Sequence, residues 1–381
     1  MNFNFTEQQE EMRSHLETFL NKICPDDYVE KCDKEGVPPY EAYNELCKSG
    51  WLGLIIPEEF GGSGGDAVDL AILLEETGKR FEELAMWVFR TMTWGAFAIM
   101  THGSDEQKKF FLPKIAKGEL SFAFGLTEPS SGSDAAALKT RADTIGNDKY
   151  LINGQKVFTS GMDVSDYCLV VLRTSKEDMK QKGITTFMVD TKKKGIEVKK
   201  IDTLGHRSIG TTQVFYNDVE VSKDDIVGEI GGGWKICDSC LWYERLSLSA
   251  ARTGAATSCF NLALDYAKNR EQFDRPIGKF QAVSHKLADM KVMLEVSRLL
   301  FYKFATSINE QKASRHEAAI LKLYTSEAYT KITEHAMQIY GGYGFCMEYP
   351  IQRFFRDARL SVIGAGTSEI QRNIIAKSLG L

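Results

Sequence analysis

The chain has no apolar run long enough to cross a bilayer as a helix, which takes about 20 residues. A helical membrane protein is therefore not expected. It has no block of basic residues either. Its 47 lysines and arginines stand against 52 acidic residues, for a formal net charge of −5. That balance speaks against a nucleic-acid or anionic-membrane partner. No HExxH or similar pair occurs, and the six histidines are scattered. Cys237 and Cys240 form a CxxC, but inside one helical pattern and without a second ligand pair, so no metal site is expected. The N-terminus lacks the basic start of a secretion signal and the arginine-rich, acid-poor character of a transit peptide. Eight cysteines in so long a chain need no disulfide framework, and free thiols suit a reducing compartment, with the cytoplasm as the default.

What is present is ordinary globular composition, 43% hydrophobic and 26% charged over 381 residues. The pattern divides into three. Residues 1–120 read as helices broken by short turns. Thr6 with Gln9 forms a capping box, and Asp66 and Ser104 are placed to cap the helices that follow them. The glycine-rich stretch 52–66 lacks GxxxxGK[ST] and reads as a connection between helices. Residues 121–230 read as short strands separated by glycine, asparagine and aspartate, with Asn153-Gly154 as the clearest hairpin turn. Residues 231–381 return to long helical patterns, four of which suggest a bundle.

The segment Trp234–Arg252 is apolar on nearly every face and should be buried. Cys237, Leu241, Glu244 and Leu248 share one stripe, which places a carboxylate among apolar neighbours. Such a group is costly unless paired or protonated, and desolvation raises its pKa toward the range useful for proton transfer. Local sequence alone leaves two readings open, a structural ion pair with Arg245 or another cation, or a catalytic base.

Six stretches then occur together: IPEEFGGSGGD, FAFGLTEPSSGSD, INGQKVFTSG, NREQFDRPIGKFQ, MQIYGGYGF and RDARLSVIGAGTSEIQR. With them the chain resembles the FAD-dependent acyl-CoA dehydrogenase family over essentially its whole length. The resemblance implies an α+β fold, the acyl-CoA dehydrogenase fold: an N-terminal α-helical domain (1–120), a middle β-barrel-like domain (121–230) and a C-terminal four-helix bundle (231–381). It implies FAD as cofactor. Phe124, Leu126 and Thr127 would surround the flavin, with Ser133 nearby. Phe158 takes the place of the aromatic that stacks on the ring, and Ser160 that of the hydroxyl near N5. Arg270, Gln272 and Phe273 match contacts made from a neighbouring subunit, Gln338 and Gly342 match their partners, and Thr367 and Glu369 match the adenine-side segment. The FAD site would then span two chains of a homotetramer, a dimer of dimers.

The sequence departs from the commonest pattern at the base. Most relatives carry glutamate before the Gly-Thr of the C-terminal motif, where this chain has Gly364-Ala365-Gly366-Thr367. Isovaleryl-CoA dehydrogenase-like and long-chain branches carry the base in a Glu-Arg pair on the helix opening the bundle, which Glu244-Arg245 matches. Crotonobetainyl-CoA reductase-like relatives look similar in their small-residue motif. The resemblance therefore implies that Glu244 moves the α-proton while a hydride passes between Cβ and flavin N5. An acyl-CoA and its trans-2-enoyl-CoA are so interconverted as dehydrogenase or enoyl-CoA reductase. Arg245 would order the base or substrate. Gly364, Ala365 and Tyr343 suggest an open pocket wall that admits a branched, aromatic or polar acyl group, the overall expectation is a short, branched or substituted acyl-CoA, and the Ala365 N–H would serve the thioester oxygen. Arg90 reads either as a partner for a distal carboxylate or as a surface or interface residue. Electron-transferring flavoprotein is the implied redox partner. The same fold also serves acyl-CoA oxidase and desulfinase-like β-elimination chemistry, and a non-catalytic flavin-binding protein is a further alternative.

Overall fold

The computed structural model describes residues 5–381. Residues 1–4 of the expected N-terminal helical pattern lie outside the described residues. Helix α1 (Glu7–Ile23) starts at the Thr6–Gln9 capping box. It is followed by α2 (Asp26–Glu35), α3 (Tyr40–Lys48), α4 (Ala67–Arg80), α5 (Glu82–Arg90), a π-helical turn (Thr91–Phe97), α6 (Ala98–His102) and α7 (Asp105–Ala116). Asp66 and Ser104 cap α4 and α7 through their side-chain oxygens. The π turn widens one continuous apolar helix and brings Trp94 flat against Phe124, ring centroids 3.8 Å apart.

The middle domain is a sheet in the order β6 (Ile196–Lys200), β7 (Thr211–Ser222), β3 (Lys149–Ser160), β2 (Arg141–Gly146), β4 (Tyr167–Arg173), β5 (Ile184–Asp190) and β8 (Ile226–Val227). Strand β1 (Phe122–Gly125) adds in parallel to β4. Asn153-Gly154 does not turn the chain. Strand β3 runs straight through it, and the pair sits at a bulge against β7. The hairpin turn falls earlier, at Asn147-Asp148, where Gly146 pairs with Lys149 and Asp148 takes φ 65°. Both dipeptides carry turn chemistry; the partner strand β7, pairing along the whole of β3, decides between them.

The C-terminal unit holds α8 (Gly233–Asn269), a small hairpin of β9 (Glu271–Gln272) and β10 (Arg275–Pro276), then α9 (Gln281–Asn309), α10 (Arg315–Tyr340), α11 (Ile351–Ser361) and α12 (Ser368–Ser378). The four expected helices are present, and α11 adds a fifth to them. No helix among the described residues is long and apolar enough to cross a membrane.

Helix α8 organises the molecule. It is buried between α4 and α10, and the small residues Ser247 to Ala256 allow that approach. At Gly254 a Cβ would meet the Glu75 carbonyl at 2.0 Å, and at Gly78 one would meet the Ala251 carbonyl at 2.1 Å. The two backbones thus touch through glycine on each side. Gly254→Ala should force α4 and α8 apart and lower stability by about 1–3 kcal/mol, read as a fall in the thermal midpoint. An unchanged midpoint would contradict this packing account.

Candidate active site

Glu244 lies on α8, one turn beyond Leu241 and within a stripe that includes buried Cys237 and Leu248. Cys237 packs with Leu126, Val171 and Ile184 of the middle domain, and Phe124, Trp234 and Leu241 border that cluster. This contact sets α8 against β1, which carries Phe124, and the segment Leu126-Thr127 that follows it. On the other side of the residue, Tyr243 stacks on Phe97 of the π turn at 4.1 Å.

The Glu244 carboxyl makes no hydrogen bond, and no cation lies within 4.0 Å of it among the described residues. The structural ion pair with Arg245 is therefore not formed. Removal from water pushes its pKa up from 4.5 to about 7, against the opposing pull of Arg245, Arg252 and Lys322. Arg245 is buried, and its Nε and Nη1 have no acceptor. Arg252, two turns further along α8, faces Glu82 at 3.7 Å. Burial brings the Lys322 amine down to about 7, helped by Arg252 and Arg245.

The Gly364–Thr367 turn closes this region. Lys322 Nζ donates to the Gly366 carbonyl at 2.7 Å, and Thr367 caps α12 by accepting from the Ile370 N–H. Ala365 has φ 54°. Neither the Ala365 nor the Gly366 N–H has an acceptor among the described residues. Glu369 lies exposed in the first turn of α12.

The middle-domain residues form one edge. The Val157 N–H donates to the Thr127 carbonyl at 2.8 Å, joining the end of the β1 segment to β3 beside Phe158 and Ser160. Phe158 is 64% exposed with φ 57°, an unusual combination for a bulky apolar residue. Phe124 packs on Trp94, Leu126 is buried, and Ser133 is exposed on the following loop.

A buried ion pair that the sequence reading missed supports that loop. Lys156 Nζ donates to the Leu126 carbonyl at 3.0 Å and to Glu128 Oε1 at 2.9 Å, and Glu128 also accepts from the Lys139 and Thr140 N–H groups. Lys156 alternates inward along β3, which was the one available signal. A second missed group joins the domains. Tyr329 donates to Glu82 at 2.7 Å, the His206 N–H donates to Asp357 at 2.7 Å, and the Ser208 N–H donates to Glu83 at 2.6 Å.

A different surface holds Arg270, Gln272 and Gly342. They line one groove of about 400 Å³ together with Tyr266, Tyr340 and Tyr343. Phe273 and Asp274 form the two-residue turn of the β9–β10 hairpin, both at positive φ, and Phe273 is 87% exposed. Gln338 is exposed near the end of α10. Tyr343 thus belongs to this groove and not to the wall around Ala365: it follows α10, about 27 Å along that helix from Lys322.

Arg90 is buried, 3% exposed, so the surface reading of it does not hold. Its Nη1 donates to the Ser160 carbonyl at 2.8 Å and its guanidinium lies over Trp87. A Cβ on Gly161 would meet Nη1 at 1.6 Å. These contacts brace the Phe158–Ser160 edge, while the Arg90 Nε has no hydrogen-bond partner.

Comparison with known proteins agrees along the whole chain. Family models for the acyl-CoA dehydrogenase N-terminal, middle and C-terminal domains match residues 6–119, 123–219 and 231–380. A 3-(aryl)acrylate reductase of Clostridium sporogenes is 35% identical over 98% of this chain and 99% of its own length. The caffeyl-CoA reductase–Etf complex subunit CarC of Acetobacterium woodii is 32% identical over 98% and 99%. The structure of butyryl-CoA dehydrogenase from Megasphaera elsdenii superposes with a TM-score of 0.95 at 34% identity, covering all of both chains.

The raised pKa of Glu244 has a consequence for stability. A carboxyl held above its ordinary value favours the fold when protonated. Its contribution is complete below about pH 4.5 and is lost as pH rises through about 7. Glu244→Gln removes that loss, so the variant should gain stability over the wild type between pH 5 and pH 8, by roughly 1–3 kcal/mol. Thermal midpoints at the two pH values check it; equal differences at both would contradict an unpaired, desolvated carboxyl.

Proposed function

The chain belongs to the acyl-CoA dehydrogenase family, and we propose that it interconverts an acyl-CoA and its trans-2-enoyl-CoA with Glu244 as the proton-transfer group. The observation that carries this is a half-buried carboxyl with no ion-pair or hydrogen-bond partner, its pKa pushed up to about 7, acted on by the Lys322 amine that also holds the turn whose Ala365 and Gly366 N–H groups are open. The members named above, the arylacrylate and caffeyl-CoA reductases, favour a substituted, aryl-bearing acyl group and the reductive direction. The Etf in the second name supports electron-transferring flavoprotein as redox partner. Seven buried free thiols fit work in a reducing compartment such as the cytoplasm.

The residues fit FAD. An exposed aromatic, Phe158, stands at an edge whose neighbouring Thr127 and Ser160 offer polar atoms, and Arg90 fixes that edge from below. Bound FAD supplies the two-electron chemistry, exchanging a hydride with the substrate β-carbon. The chain's own residues do the rest. Glu244 takes the α-proton in the oxidative direction and returns it in the reductive one. The Ala365 N–H donates to the thioester oxygen as charge develops there. Arg245, Arg252 and Lys322 keep the Glu244 pKa from rising further. Loss of the usual glutamate side chain at position 365 leaves its backbone donor in place.

The cofactor residues also support an assembly. Glu244 stands near the start of α8 and Arg270 caps its end, about 39 Å away along the axis. That span exceeds an extended dinucleotide, so one FAD does not reach both within a chain. Arg270, Gln272, Phe273, Gln338 and Gly342 serve the site of a second copy, and the exposed Phe273 is covered by that cofactor and subunit. A dimer is the minimum, and a dimer of dimers is the proposed form.

Two tests follow. Glu244→Gln should keep FAD and lower turnover at least about 1,000-fold, with wild-type oxidation rising with pH through about 7; near-normal turnover would sink the assignment. Co-expressing Glu244→Gln with Arg270→Ala should restore activity, since mixed dimers regain one intact site. No activity beyond that of the separate variants would place both residues in one chain's site.

A further inference from the structure

The Ala365–Gly366 turn is held in an uncommon conformation. Both residues have positive φ, 54° and 84°, and Ala365 carries a Cβ that disfavours it. An alanine there costs on the order of 1 kcal/mol and persists only where neighbours fix it. Two side chains do so. Gln371 Nε2 donates to the Ala365 carbonyl at 3.1 Å and to the Gly366 carbonyl at 2.9 Å. Lys322 Nζ donates to the same Gly366 carbonyl at 2.7 Å. Both side chains are buried, Lys322 at 1% and Gln371 at 0% exposure. Three hydrogen bonds thus take the two carbonyls, while the two N–H groups of the turn are left without acceptors.

We propose that Lys322 and Gln371 are positioning residues: they clamp the two carbonyls of the turn so that the Ala365 N–H faces the substrate thioester oxygen. The proposal rests on the reading of Glu244 as the proton-transfer group. A buried ammonium is a costly way to hold a carbonyl. In its protonated form it also acts on the base. The groups that face Lys322 are Glu244, Arg245 and Arg252 from α8, Glu327 from its own helix and Glu369 from α12. The amine therefore acts on both partners of the proton transfer. It fixes the donor that makes the α-proton acidic, and its positive charge opposes the rise in the Glu244 pKa. Gln371 adds two neutral hydrogen bonds to the turn from α12, the helix that Thr367 caps.

The test uses FAD-loaded protein and a 3-thia-acyl-CoA, whose α-proton is removable but which has no β-carbon to give up a hydride. Its bound enolate shows as a long-wavelength band, and a pH titration of that band measures how well the site stabilises the thioester oxyanion. Lys322→Met and Gln371→Met should keep FAD content and ligand affinity within about threefold. Each should raise the apparent pKa of the bound ligand by about one unit or more, and slow flavin reduction by an acyl-CoA by about 100-fold. Lys322→Arg, which keeps a donor and a charge, should recover part of the loss. If Lys322→Met does not take up FAD, Gln371→Met decides alone, because it removes only an uncharged amide. An unchanged ligand pKa in the folded variants, with Glu244→Gln forming no enolate, overturns the clamp and leaves the base intact. An enolate formed normally by Glu244→Gln overturns the base assignment itself.

Discussion

Everything in this molecule that bears on chemistry depends on holding one half-buried carboxyl among apolar neighbours without pairing it. A glutamate in a protein interior normally finds an arginine, and this one has a neighbour in sequence to choose. The helix geometry prevents it: Arg245 points to the next face of α8, and Glu244 is left with three cations near enough to moderate its charge and none near enough to neutralise it. A closed salt bridge would hold Glu244 as a permanent anion with little basicity. Complete isolation would leave it protonated at all physiological pH. A value near 7 lies between these limits, where the group can both take and give a proton.

The scaffold explains how the carboxyl is kept there. Helix α8 reaches Glu244 from the middle domain and then runs through the centre of the helical layers, touching α4 backbone to backbone at Gly78 and Gly254. Arg252 ties that helix to Glu82, and Glu82 is tied in turn to Tyr329 of α10. Nearby, Ser208 of the middle domain donates to Glu83, whose carboxyl burial and Asp357 push up to about 7. The junction with the middle domain is therefore polar and specific in its geometry, and the helical interior is held by close backbone contact at Gly78 and Gly254. Moving α8 relative to the sheet would shift its Glu244 end from the Phe124–Leu126 segment, and these contacts resist that movement.

Much of this was legible in the residues. Three-residue and four-residue spacing placed Glu244 in an apolar stripe, capping residues marked the starts of α1, α4 and α7, and the run of short alternating segments marked the middle domain. The failures have physical causes. Asn153-Gly154 has the composition of a turn, but the long partner strand β7 makes it a bulge. Tyr343 reads as part of the acyl pocket wall, and Arg90 as either a carboxylate partner or a surface or interface residue, because sequence does not carry direction over long distances. Arg90 is spent on the Ser160 carbonyl, and Tyr343 sits at the far end of α10. Lys156, Lys322 and Gln371 escaped notice because each matters through a backbone carbonyl, and nothing in a sequence marks which carbonyl a distant side chain will meet.

The central claim is that Glu244 itself exchanges the α-proton of a bound thioester. The most direct measurement is deuterium uptake at the α-carbon of an acyl-CoA, incubated in D₂O with the FAD-loaded protein and no electron acceptor, followed by mass spectrometry across pH. The account predicts uptake that rises through about pH 7 and disappears in Glu244→Gln. Uptake at the wild-type rate in that variant would show that another group moves the proton.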